Sequence, residues 1–392
     1  MEEQTVYTRK RHGWRLAGWV KILITVVLTL AVSAGAWCLL LGKSGLALVQ
    51  TYLLARFAFV EADADLGRAV DAGLDAFVDG LGDRWSYYLD RERYQATNER
   101  RANNYVGVGI TVTYEREEGL LVQSVIRDGP ADKAGVLPGD VITAVDGRSI
   151  AGDAREEGSD LIRGESGTKV TLTLLGPDGA AREAVCTRAT VHSPSASGKM
   201  LEGNVGYVKL DNFYSGSAGS FQQEVDALVE QGAQALVVDV RGNPGGYIVE
   251  LERILDYLLP EGPVFTHKPR WWFESVTRSD AGCVDLPMAV LVNKDSYSAA
   301  ELLAAQLRES AGAPIAGELT SGKGYSQITF PLINGGGVGL STAAYCTGSG
   351  HSLISEGLTP DAELSLPEGA VLGGEDDVQL QAALDLLAAN AG

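Results

Sequence analysis

Ile22 to Leu41 is a run of 20 residues without a charged side chain, the length a helix needs to cross the hydrocarbon core of a bilayer. Arg9, Lys10, Arg11, Arg15 and Lys21 precede it. That excess of positive charge keeps the N-terminus in the cytoplasm and sends everything after Lys43 outside. Ala34-Gly35-Ala36 has the small residues of a signal-peptidase site, but the apolar stretch is longer than a cleaved leader requires. The expectation is a single-pass anchor in the cell membrane, with the bulk of the chain extracytoplasmic.

Residues 1–43 hold six Lys/Arg and two Asp/Glu, which leaves the rest with 26 basic and 49 acidic residues, net −23. Such acidity speaks against nucleic acid or anionic lipid as a partner, and solubility is sufficient reason for it. Cys38, Cys186, Cys283 and Cys346 are scattered and form no CxxC pair, so neither a zinc site nor a disulfide framework is indicated. A Cys283–Cys346 bridge stays open. The four histidines, at 12, 192, 267 and 351, are isolated and no HExxH occurs; no metal or other cofactor is expected.

At 392 residues the chain can hold two or three modest domains with their own cores. From about Leu46 to Arg101 the apolar spacing is helical, through Leu66, Val70, Leu74, Phe77, Val78 and Leu81, and it ends at the aromatic-rich turn Gly80–Leu89. Residues 105–176 read as short strands over 108–114, 120–126, 140–145 and 170–175, with helices over 131–134 and 156–163. Ser193-Pro-Ser-Ala-Ser-Gly198 reads as a small-residue linker. Beyond it, strands over 205–210, 235–240 and 288–293 alternate with helices over 220–231 and 248–259, the order of an α/β core. An amphipathic helix over 378–387 closes the chain. The division expected is 1–43, 44–103, 104–190, 191–366 and 367–392.

Gly107-Val-Gly-Ile110 opens the strand-rich block. A glycine loop lets successive backbone N–H groups converge on a terminal carboxylate, while an exposed strand edge accepts a peptide as an extra strand. The block resembles a PDZ domain. Gly107, Val108, Gly109 and Ile110 stand where that family has its carboxylate-binding loop, and Gly129-Pro-Ala-Asp-Lys-Ala-Gly-Val-Leu-Pro-Gly-Asp140-Val-Ile is similar to its "SPA..AGL..GD.I" stretch. The resemblance implies a peptide-binding role for these residues. Separately, the block is expected to gate the peptidase site when a tail binds, and Arg163, at the end of the second helix and facing the linker side, is the candidate that transmits this.

Three further segments carry chemistry. Asp239-Val-Arg241-Gly-Asn-Pro-Gly245-Gly246 follows a buried strand and ends in two glycines; it either presents backbone N–H groups to a cleft or is a tight left-handed turn. Ser298 sits between an apolar run and an alanine-rich helix, as an N-cap or as a nucleophile near the positive end of the helix dipole. Lys323, between Gly322 and Gly324, heads a β-type alternation through Ile328 and Phe330. A serine hydroxyl is a poor nucleophile at neutral pH, and a lysine activates it only when uncharged, which requires burial to depress its pKa. On a strand, residues 323, 325 and 327 share a face, so Gln327 reaches the lysine without adding charge.

Five motifs in one order then resemble the C-terminal processing peptidases, the tail-specific serine proteases. Gly82-Asp-Arg-Trp-Ser-Tyr-Tyr-Leu89 is similar to their "GDPYSxYL", Asp239–Gly246 to "DLRxNPGG", Ser298-Ala-Ala-Glu301 to "SASE", Gly322-Lys323-Gly-Tyr-Ser-Gln327 to "GKGxxQ" and Gly357-Leu-Thr-Pro-Asp361 to "GixPD". The resemblance implies Ser298 as nucleophile, Lys323 as general base and Gln327 as its orienting residue. It implies oxyanion donors at the N–H of Ala299 and of Gly245 or Gly246. The chain departs from the pattern at Arg84-Trp85, at Tyr297 and Ala300 beside the nucleophile, and at Gly348. Ser296 is the competing nucleophile, set aside by the Ala-Ala-Glu after Ser298; a His351-based triad is set aside by its loop-like Gly-Ser-Gly setting.

The fold class expected is multidomain α/β: a transmembrane helix, a helical segment, a PDZ-like β domain and an α/β Ser/Lys peptidase core. The function expected is a serine endopeptidase that binds a protein or peptide substrate through its C-terminus, with a catalytically silent PDZ scaffold as the alternative. The family resemblance also implies a homodimer through terminal regions.

Overall fold

The computed structural model describes residues 18–390 apart from 62, 127, 128, 272, 368 and 375. The basic residues at 9, 10, 11 and 15 lie outside the described residues. Two compact units divide between Leu74 and Asp75.

The first unit is dominated by helix α1 (Gly18–Ala58), which is interrupted at Gly42, where φ is +61°. Only a residue without a Cβ takes that conformation without strain, and it falls where the uncharged run ends. The part before Gly42 is about 36 Å long at 1.5 Å per residue, enough for a hydrocarbon core of roughly 30 Å. The most apolar window of α1 has mean hydropathy 2.3 and none of it is buried. Length and composition suit a membrane span. Helix α2 (Leu66–Asp79) crosses the division between the units.

The second unit opens with strand β1 (Tyr87–Leu89) and helix α3 (Arg91–Ala102). Asp90 caps α3 by accepting the Arg93 N–H at 2.9 Å, and Asn103 ends it in the left-handed conformation. The strand-rich block comprises β2 (Asn104–Gly107), β3 (Ile110–Arg116), β4 (Gly119–Val125), α4 (Pro130–Lys133), β5 (Val141–Val145), β6 (Arg148–Ser149), α5 (Arg155–Ile162), β7 (Lys169–Leu175), β8 (Ala181–Thr187) and β9 (Ala189–His192). Its sheet runs β3-β4-β5-β7-β8 with β6 on β5, while β2 pairs with β9. Alternate strand residues, among them Val122, Ile142, Val170, Leu172 and Leu174, fill a separate core. This leaves β3 as an edge strand. It starts two residues later than the expected 108, because Val108 and Gly109 form a loop whose carbonyls accept the N–H groups of Ala131 and Ile126 at 2.8 and 2.9 Å.

The α/β core follows: β10 (Ala196–Leu201), β11 (Val205–Leu210), α6 (Ser217–Glu230), β12 (Ala235–Asp239), α7 (Ile248–Leu258), β13 (Gly262–Pro269), β14 (Ser275–Ser279), β15 (Met288–Val292), α8 (Ala299–Ala311), β16 (Ile315–Gly317), β17 (Tyr325–Pro331), β18 (Gly337–Thr347), β19 (Ala362–Glu363) and α9 (Val378–Asn390). The main sheet has the order β10-β11-β12-β15-β16-β19, parallel from β11 onward. One face, through Val208, Leu236, Val238, Val290 and Ile315, packs on α6, α7 and α8. The other, through Val237, Ala289, Leu291 and Ala316, packs on Leu380, Ala383 and Leu387 of α9. Cover on both faces is why β12 and β15 are unbroken apolar runs. A second, antiparallel sheet runs β1-β18-β13-β14, with β17 also on β18.

The expected linker is in part a strand. Ala196, Ser197 and Gly198 belong to β10, which pairs antiparallel with β11 at the edge of the main sheet. Ser197, Gly198 and Lys199 are exposed there, so the strand shows no apolar alternation to reveal it. Cys283 and Cys346 are both free thiols.

Candidate active site

In a parallel sheet flanked by helices, the loops after the carboxyl ends of the strands form the natural crevice. Two such loops meet here. The one after β12 carries Gly245 and Gly246, and the one after β15 leads to Ser298. They are knitted together, since Asn293 Oδ1 accepts the Gly242 N–H at 2.9 Å and the Asn243 carbonyl accepts the Tyr297 N–H at 3.2 Å. Ser296 is buried with its hydroxyl donating to the Val240 carbonyl at 2.7 Å, a structural use that removes it as a nucleophile candidate. His351 is exposed in a turn beyond β18.

Ser298 is the N-cap residue of α8, yet its backbone stands at φ +62°, ψ −120°. A non-glycine residue held there is strained, and such strain persists only where its surroundings over-determine it. Gly245, at φ +79°, has no room for a Cβ: one would lie 2.9 Å from the Cβ of Ser298. The N–H of Gly245 donates to Asn243 Oδ1 at 2.8 Å. Those of Gly246 and Ala299 meet no acceptor among the described residues, so of the two glycines it is Gly246 whose donor is open.

A single buried carboxylate sets the register of the two chemical segments. Glu301 accepts the backbone N–H groups of Ser298 and Lys323, each at 2.9 Å, that of Gly322 at 2.7 Å, and the hydroxyl of Thr320. Four donors on one carboxylate make a charge buried in α8 tolerable.

Lys323 lies two residues before β17, not on it as the alternation suggested. Gln327 nonetheless reaches it, and Lys323 Nζ donates to Gln327 Oε1 at 2.9 Å. Gln327 in turn donates through Nε2 to the carbonyl of Trp85. The Lys323 ammonium position lies 5.0 Å from the ring centre of Trp85 and 5.5 Å from that of Tyr297, two of the family departures. Burial, and next the positive charge of Arg101, pull the Lys323 pKa from 10.5 down to about 8, against the opposing charges of Asp83 and Glu301.

Among the described residues no hydrogen bond joins Lys323 Nζ to Ser298. The hydroxyl of Ser298 instead accepts from Tyr345 Oη at 2.9 Å, and the same phenol lies 2.9 Å from the Lys323 carbonyl. Tyr345 is fully buried in β18; burial foremost raises its pKa, so it remains a donor. Sequence reasoning missed it, as nothing near position 345 signals a contact with 298. If Tyr345 fixes the Ser298 side chain, Tyr345→Phe lowers kcat about tenfold, the worth of one hydrogen bond, with KM unchanged; steady-state kinetics on a peptide substrate checks this.

Ser298, Lys323, Gln327, Gly245 and Gly246 line one cleft of about 700 Å³, together with Trp85, Arg101 and Tyr297. A second cleft, of about 530 Å³, lies beside the edge strand β3 and is lined by Gly107, Val108, Gly109, Ile110, Ile162 and Arg163 among others. All five expected peptide-binding residues thus share one groove. Arg163 is exposed there and pairs with Asp160 at 3.4 Å.

In the loop that carries Gly245 and Gly246, Arg241 is fully buried. Its guanidinium donates to Asp239, to both oxygens of Asp377 at 2.8 and 2.6 Å and to Gln379 at 2.9 Å. Asp377 also accepts the Leu380 N–H at 3.0 Å and so caps α9.

Residues 204–364 match the sequence profile of peptidase family S41 and residues 121–176 that of a PDZ domain. The chain is 31% identical over 310 residues to the carboxy-terminal processing protease CtpA of Bacillus subtilis, covering 79% of this chain and 66%, just under two thirds, of that protein. It is 33% identical over 317 residues to the carboxyl-terminal-processing protease of Picosynechococcus, covering 78% and 76%. A putative S41 protease from Bacteroides fragilis, 17% identical, shares the fold with a TM-score of 0.50 over 84% of this chain and 93% of that one. The chain belongs to the carboxyl-terminal-processing protease family, within peptidase family S41.

Proposed function

We propose that this chain is a membrane-anchored, extracytoplasmic serine endopeptidase that holds a protein's C-terminal tail in its PDZ groove and cuts the polypeptide through an acyl-enzyme on Ser298. The observation that carries the reading is a buried lysine with its pKa drawn down to about 8, in the same cleft as a strained serine at a helix N-terminus. Neutral Lys323 takes the proton of the Ser298 hydroxyl as Oγ attacks the substrate carbonyl. The resulting ammonium gives that proton to the leaving amine, and water then hydrolyses the ester by the same route in reverse. The N–H groups of Gly246 and Ala299 stabilise the oxyanion. Since Lys323 Nζ rests on Gln327, it must swing to Ser298 for the first step.

The anchor is α1, supported by its length and composition. The domain division proposed has boundaries near 43, 103, 190 and 366, and Arg163 is proposed to report tail occupancy from the groove. A silent scaffold would bind tails equally well but has no use for a buried lysine in the cleft of a strained serine. The test compares cleavage of an unstructured protein bearing a free apolar C-terminus with that of its amidated form. Faster cleavage of the free tail is expected; equal rates would remove the PDZ groove from recognition.

Gly109 offers a sharper check on the groove. At φ +82° an alanine is strained, so Gly109→Ala should weaken tail binding, read by fluorescence titration, and leave acylation of Ser298 by a small active-site probe unaffected.

A further inference from the structure

Between strands β13 and β14 the sequence reads Arg270-Trp271-Trp272-Phe273-Glu274. Trp271 is 78% and Phe273 98% exposed, and the Arg270 guanidinium lies over the Trp271 ring, 4.8 Å from its centre. Aromatic side chains held out from a strand pair with no core to enter mark a contact surface. The local charge is also out of character. Residues 263–279 hold three basic side chains and one acidic, net +2, within a region from 44 onward of net −23; Lys268 and Glu274 pair at 4.0 Å, leaving Arg270 and Arg278 in excess.

We infer that this hairpin tip dips into the headgroup region of a lipid bilayer, with Trp271 and Phe273 as the inserted side chains. The inference rests on the reading of α1 as a membrane anchor, which keeps the rest of the chain beside a bilayer. Tryptophan next to arginine is the composition of the membrane interface, where an amphipathic ring meets both water and acyl chain. A second copy of the chain is the poorer occupant, because it would bring two positive tips together. A five-residue connection also falls well short of the roughly 800 Å² per partner of a stable protein interface. The rings drive the contact and anionic lipid is not required. The local positive charge spares the tip the repulsion that an acidic domain meets at a lipid surface.

The experiment uses the full chain with Cys38→Ser and Cys283→Ser, a fluorophore on Ser275→Cys, and phosphatidylcholine vesicles carrying a lipid-borne quencher. The expected result is loss of emission to the lipid quencher and protection from an aqueous one. Both effects should vanish when Trp271→Ser and Phe273→Ser are added, with hydrolysis of a soluble peptide unchanged. If the chain floats with the vesicles but the probe sees only the aqueous quencher, the hairpin proposal fails and the anchor stands. If the chain does not float at all, both fail. Protection from the aqueous quencher without lipid quenching, growing with protein density, would assign the tip to a second copy and overturn the proposal.

Discussion

Ser298→Ala should abolish cleavage, with kcat falling on the order of 10⁴-fold or more, the usual cost of deleting a nucleophile. The substitution removes one oxygen and leaves the Glu301 carboxylate its three backbone donors. Fold, tail binding and the Lys323 pKa should therefore persist. Single-turnover assays together with tail titration separate the outcomes. Residual turnover within tenfold of the parent would move the nucleophile elsewhere; Ser296 is the poorer substitute, its hydroxyl being tied to the Val240 carbonyl.

Lys323→Met should be as inactive, and its stability should change in a way that identifies the lysine's charge state. With the folded pKa lowered from 10.5 to about 8, roughly one lysine in ten is neutral at pH 7, so kcat/KM of the parent climbs about tenfold per pH unit below 8 and levels above it. The linkage has the opposite sign to that of a lysine in an ion pair. Between pH 8 and 10.5 the unfolded chain holds a proton that the folded one has released, so parent stability rises across that window; below 8 the folded state bears the full burden of a buried ammonium. Methionine fills similar space without that burden. The variant should thus unfold at a higher temperature than the parent at pH 7, with the gap closing toward pH 10.5. A gap independent of pH would mean that Lys323 is not desolvated.

The segments that line the candidate cleft were readable in the sequence because each rests on a local demand. A serine opening an alanine-rich helix, a lysine between glycines and a paired glycine after a buried strand all advertise themselves within a few residues. Strand β11 was readable at its observed bounds, 205–210, as were the buried runs of β12 and β15 to within a residue. What stayed hidden depends on distant partners. Gln327 is held by the carbonyl of Trp85, 242 residues away in sequence, and Ser298 by Tyr345, 47 residues on. The choice of Gly246 over Gly245 turns on where one asparagine side chain points. Strands β13 and β14, with His267, Lys268 and Arg278 along them, alternate too weakly to be separated from loop. The common face assigned to 323 and 327 led to their contact, although Lys323 itself precedes the regular strand.

Arg241 places a condition on when this enzyme becomes competent. Its buried guanidinium underlies the glycine loop between two carboxylates, Asp239 close by in sequence and Asp377, which lies 136 residues later in the chain. Asp239 pairs with it from the outset, but until residues 377–379 have been synthesised the guanidinium lacks its second carboxylate and the Gln379 acceptor, and buried donors are left unsatisfied. Polypeptides are made from the N-terminus onward, so the serine and lysine exist before the loop that serves them can settle. The last helix is thus an arming pin for the proposed site: a chain cut short before Asp377 should retain Ser298 and Lys323 and cleave a peptide more slowly than the full chain.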